Sequence, residues 1–77
     1  MTLITNATLD WSDPVTVEQD EIWQARSGSI FITTTETPEA DDGLALVLRD
    51  GVRIKAGSQV RFRREGEAFA VIAREIV

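Results

Sequence analysis

The side chains able to do chemistry in this chain are thirteen acids, eight bases and two tryptophans, and there is no histidine and no cysteine among its 77 residues. Asp20-Glu21 and Asp41-Asp42 are pairs of neighbouring carboxylates. Paired acids serve in general acid–base catalysis when burial or a like charge displaces one of their pKa values. Adjacent residues on a strand or loop diverge instead of converging, and no histidine, cysteine or lysine stands beside either pair. The expectation is therefore a protein that is not an enzyme. Asp41 and Asp42 offer oxygen ligands to a hard cation, but the spacing of a calcium-binding loop is absent. Transition metals lack the nitrogen and sulfur donors they prefer. No metal and no cofactor are expected.

The cations are more patterned. From Gly51 to Arg63 apolar and basic residues alternate on both sides of a small turn, which reads as a β-hairpin because strand side chains alternate with period two. Val52, Ile54, Val60 and Phe62 would then line the core, with Arg53, Lys55, Arg61 and Arg63 forming a row of cations on the other face and Arg64 following them. Such a row suits phosphate neutralisation. The acidic total of −5 and the placement of Phe62 opposite Arg61 and Arg63 argue against nucleic acid, since single-strand binders set aromatic rings among their cations. Arg61 and Arg63 are instead expected to face away from the core, free to meet another chain. Trp11 and Trp23 are candidate platforms for a sugar ring, so the alternative readings are a small β module that binds surface polysaccharide or, through the basic row, one associated with nucleic acid. Trp23, in a strand pattern beside Ile22 and near Phe31, favours core or interface.

Positioning these groups falls to a run of short strands. Turn chemistry at Ser12-Asp13-Pro14, Gln19-Asp20, Ser27-Gly28, Asp50-Gly51 and Glu65-Gly66 separates segments rich in Val, Ile, Phe and Thr, and the polar stretch Glu36–Gly43 reads as an exposed loop. The Ala-rich segment from Ala68 to Val77 admits a helix, but its Phe, Val and Ile content and its place after strand–turn units favour a strand. The expected fold is all-β, a small antiparallel sandwich or barrel of about seven short strands. Residues 1–14 are expected to be an N-terminal arm or edge strand, and residues 15–77 a single β domain. Ser29–Thr35 is apolar on both faces near Phe31, as for a strand covered from both sides.

Small domains bury a modest share of their surface and gain stability from disulfides, metals or partners; with no cysteine or histidine, partners remain. Charge is uneven, because residues 1–42 carry −8 and residues 43–77 carry +3. If the two sets occupied different surfaces, copies would meet head to tail and close into a ring; if the sequence halves interleave in space, the charges intermix. No apolar run approaches membrane-spanning length, and Met1–Asn6 lacks the pattern of a signal peptide. Synthesis in the cytoplasm is expected.

Taken together, Glu21–Ile32, Ala40–Leu46 with its Asp41-Asp42-Gly43 turn, Asp50–Ile54, Ala56–Phe62 and Val71–Glu75 resemble small β-structural virion proteins of tailed phages, prophages and gene transfer agents. The resemblance covers about residues 15–77 and is greatest to the base proteins of head spikes. It implies a non-enzymatic particle component that self-associates as a ring and carries a further component such as a fibre. It assigns no site residue. Interface candidates from the residues themselves are Arg53, Lys55, Arg61, Arg63, Arg64, Trp11, Trp23, Phe31, Asp41 and Asp42.

Overall fold

Alternation along Glu21–Ser27 sets the first long strand, because Glu21, Trp23 and Ala25 are buried while Ile22 and Arg26 are exposed. The computed structural model describes all 77 residues and is built from strands, turns and loops. In chain order the strands are β1 (Thr2–Ile4), β2 (Val15–Thr16), β3 (Glu21–Ser27), β4 (Ile30–Thr33), β5 (Leu44–Leu46), β6 (Gly51–Ile54), β7 (Gln59–Arg64) and β8 (Val71–Ile76). They form two four-stranded antiparallel sheets, ordered β1-β8-β3-β6 and β2-β7-β4-β5. The molecule is a sandwich, and the segment that admitted a helix is β8, paired on both sides by β1 and β3.

Only one link joins neighbours within a sheet. The segment from Thr34 to Gly43 connects β4 to β5, whereas every other connection carries the chain from one sheet to the other. This corrects the reading of residues 51–64 as a hairpin. Strand β6 pairs with β3, and β7 pairs with β2 and β4. The turn between them, Lys55–Ser58, spans the sandwich and is held by bonds of 2.9 and 2.7 Å between the backbone of Val17 and that of Ser58 and Gly57. Alternation alone predicts which side chains point inward, and it did so here: Ile54, Val60 and Phe62 are buried. It carries no information about which strand lies alongside, because two strands facing each other across a core show the same pattern as two strands side by side.

The core is an eleven-residue cluster with Trp23 as its largest member, fully buried and tilted against Phe62 at a ring separation of 6.3 Å. Both sheets alternate strands from the two halves of the sequence. The acidic first half and basic second half are therefore interleaved, not segregated.

The N-terminal segment is part of the sandwich. Strand β1 forms one edge by pairing with β8, and the chain then runs along β7, where Arg64 donates its amide to the Thr8 carbonyl at 2.8 Å and Ser12 exchanges bonds with Phe62 at 2.9 and 3.0 Å.

Candidate functional site

The crossing of β6 to β7 splits the expected row of cations. Arg53 and Lys55 lie on and just after β6, and Arg61, Arg63 and Arg64 lie on β7 in the opposing sheet. No continuous basic face exists for a phosphate backbone to follow, and most of these cations are already engaged. Arg53 pairs with Asp20 at 3.3 Å. Arg61 donates to the Ser12 carbonyl at 3.0 Å. Arg64 is half-buried at the end of β7, with its Nε unpartnered.

Arg63 is the centre of a clamp on the outer face of the second sheet. Its guanidinium carbon lies 4.3 Å from the Phe31 ring centre and 5.1 Å from that of Trp11, and its Nη2 donates to the Ala40 carbonyl at 2.6 Å. A planar, weakly hydrated cation suits that slot between two aromatic rings. Trp11 in turn donates from Nε1 to the Glu39 carbonyl at 2.9 Å. The clamp joins four separate pieces of chain: the N-terminal segment, β4, β7 and the Glu36–Gly43 loop. The outer face of Phe31 is thus covered within the chain itself. Arg63, expected to be free for a neighbour, is a structural residue.

The same loop answers the question posed by Asp41 and Asp42. Asp42 Oδ2 accepts the Glu39 amide at 2.8 Å and closes a turn, while Asp41 is exposed. No three acidic side chains converge on a point where they could share a metal ion.

The second carboxylate pair diverges, as neighbours on an extended chain must. Asp20 accepts the Ala56 amide at 2.8 Å and the Arg53 guanidinium; those two bonds, the amide first, hold its pKa below the ordinary aspartate value. Glu21 points inward and takes a two-pronged contact from Arg74, Nε to Oε1 at 2.8 Å and Nη2 to Oε2 at 3.0 Å, with Trp23 Nε1 adding a third bond at 3.0 Å. Arg74 also lies over the Trp23 ring, 5.1 Å from its centre. The Arg74 bond lowers the Glu21 pKa despite opposition from burial. Both acids are held as carboxylates, and neither is a proton donor near neutral pH. The inward turn of Arg74 was missed in the sequence; its register opposite Trp23 follows only once β8 is known to pair with β3.

Trp23 has no accessible surface to offer a sugar, and Trp11 stacks on Arg63. The exposed aromatic residue is instead Phe69, 60% accessible in the loop between β7 and β8. It stood in the sequence as a strand residue among Ala68, Ala70 and Val71, and the loop that carries it extends to Ala70.

What the fold leaves open is its two lateral margins, where both sheets end. At one, β5 and β6 border a groove of about 360 Å³ lined by Ile32, Leu44, Val52, Ile54 and Val60 with Arg53 and Lys55 among its polar rim. At the other, β1 and β2 border a groove of about 390 Å³ lined by Leu3, Ile4, Val15 and Phe62. Leu44 is exposed at the first and Leu3 at the second, and the exposed Val47 and Leu48 follow β5 in the chain. No protein-family model, curated protein or solved structure matches the chain.

Proposed function

We propose that the chain is a non-enzymatic structural component of a phage-like particle, a ring-forming subunit at the base of a head spike or a connector that holds another component such as a fibre. The observation that carries this reading is the pair of open margins: each leaves two strand edges unpaired and large apolar side chains in water, on a chain with a core of only eleven clustered residues. Unpaired edges and exposed apolar patches are sites of association. The acids and arginines work as structural ties in the chain, which fits a component whose task is to hold its shape. The resemblance of Glu21–Ile32, Ala40–Leu46 and Ala56–Phe62 to head-spike base proteins points to the same class.

The test is to raise particles from the cells that encode the chain, purify them on a density gradient and assay the fractions by mass spectrometry. The expected result is co-sedimentation of the chain with capsid protein and loss of an external appendage when its gene is deleted. Free chain at the top of the gradient, with unaltered particles in the deletion strain, would refute the assignment.

A further inference from the structure

We infer that the Phe69 ring of one copy inserts into the groove between β5 and β6 of the next, a knob-and-socket contact that repeats head to tail. The inference rests on the assembly reading above and adds which surfaces meet.

The knob is rigidly mounted. The Glu65 amide donates to the Ser29 carbonyl at 2.9 Å at the start of the loop, and Ala70 at its end is buried in the core. Between them the Phe69 carbonyl packs on Gly28 so closely that a Cβ there would lie 2.6 Å from it. The backbone of Phe69 is thus pinned while its ring stays in water. An aromatic side chain presented in this way gives up little freedom on docking and suits the role of an anchor. Glu65 and Glu67, exposed on the same loop, are in no ion pair.

The socket matches the knob. Ile32, Ile54 and Val60 belong to the core cluster and also line the groove, beside Leu44 and Val52, so an entering ring meets the core itself. A groove of about 360 Å³ has room for it, since an apolar cavity of about 150 Å³ holds benzene. The charged side chains in its lining are Arg53 and Lys55, and no carboxylate is among them. Asp20 occupies Arg53, which leaves Lys55 outside any ion pair. The acidic loop before β5 is drawn onto the outer face of the second sheet, where Trp11 and Arg63 bind the Glu39 and Ala40 carbonyls. Docking Phe69 here brings Glu65 and Glu67 towards Lys55, unlike charges at the rim of an apolar contact. The groove at the other margin offers no such partner, because its charged residue, Arg74, is already held by Glu21.

Position makes the contact one between copies. Thr33 pairs with Arg61 towards the groove, and Ile30 pairs with Arg64 next to the Phe69 loop. Knob and socket therefore lie towards opposite ends of β4 and β7, and the pinned loop cannot reach its own groove. A contact between two different surfaces is heterologous, the kind that generates rings or filaments.

The test uses two variants, Phe69→Ala without the knob and Leu44→Glu with a blocked socket. Both positions are exposed, and circular dichroism checks that the fold survives. Light scattering should give the monomer mass for each variant alone and twice that mass for an equal mixture, because one knob and one socket remain intact. Phe69→Ala that assembles like the unaltered chain, or a mixture that stays monomeric while the unaltered chain is oligomeric, would overturn the knob and leave the assembly reading standing. Zero-length carbodiimide cross-linking of the unaltered chain, mixed with an isotope-labelled copy, gives a readout independent of the variants. Lys55 is the one lysine in the chain. Intermolecular links from it to Glu65 or Glu67 are expected, and links confined to other acids would contradict the contact. An unaltered chain that stays monomeric throughout would overturn self-association, while the particle sedimentation assay would still decide whether the chain belongs to a particle.

Discussion

Arg63 does the work of several residues, since one guanidinium stacks on two rings and donates to the carbonyl that fixes the Glu36–Gly43 loop. Replacing it with Ala should cost about 1–2 kcal/mol, the range for a partly desolvated cation–π pair together with lost packing. Arg63→Lys should recover only part of that, because an ammonium cannot fill a planar slot between rings. Urea denaturation of the three proteins measures the ranking, and equal stability of Ala and Arg at this position would dismiss the clamp. Glu21 makes a different prediction, one that depends on pH. Its folded-state pKa lies below the ordinary value of 4.5, so its pairing with Arg74 adds stability above the ordinary glutamate range. That increment is lost as pH falls through the lower, folded-state value. Glu21→Gln keeps an acceptor for Trp23 and removes the charge. The variant should be weaker by about 1–2 kcal/mol at about pH 7 and should converge on the parent in acid. A gap that stays constant between neutral and acidic solution would show that the charge of Glu21 is not what matters.

At the scale of elements, Gly43 links the clamp to β5. Its φ of +97° lies in the left-handed region, and a Cβ there would come within 2.7 Å of the Ile32 carbonyl oxygen and 2.9 Å of the Trp11 ring. Gly43→Ala should therefore destabilise by about 1–3 kcal/mol through backbone strain and displace Trp11, which its fluorescence would report; an unchanged midpoint and spectrum would count against this packing. The alternation of Glu21–Ser27 and Gln59–Arg64 made the inward-facing residues legible from sequence, as did the β-branched and aromatic run at Ile30–Thr33 and the turn residues that bound it. Strand partners were not legible. The β6–β7 crossing shows why: the spacing of Val52, Ile54, Val60 and Phe62 encodes a common core, and that core can be reached from the same sheet or from the facing one. The cations suffered from the same ambiguity, since their grouping on one face depended wholly on the hairpin. The engagement of Arg63 with Trp11 and Phe31 joins positions far apart in the chain, and no local spacing announces it.

For the whole molecule, the strict alternation of first-half and second-half strands explains why a chain so uneven in charge along its length has ion pairs such as Asp20–Arg53 and Glu21–Arg74 within itself. What the fold leaves unpaired is the strand edges at its lateral margins, with Leu44 exposed at one and Leu3 at the other. A flat particle of 31 × 25 × 17 Å with two such margins suits side-by-side assembly. Surface charges are screened over roughly 8 Å at physiological ionic strength whereas apolar contact is not, so an association through exposed apolar side chains should persist as salt rises. The most direct measurement is the mass of the unaltered protein by multi-angle light scattering over a range of concentrations at low and high salt. A discrete multiple of the 8.5 kDa chain that persists in high salt is the predicted result. A single 8.5 kDa species at every concentration and salt would contradict the account of this chain as a self-assembling subunit.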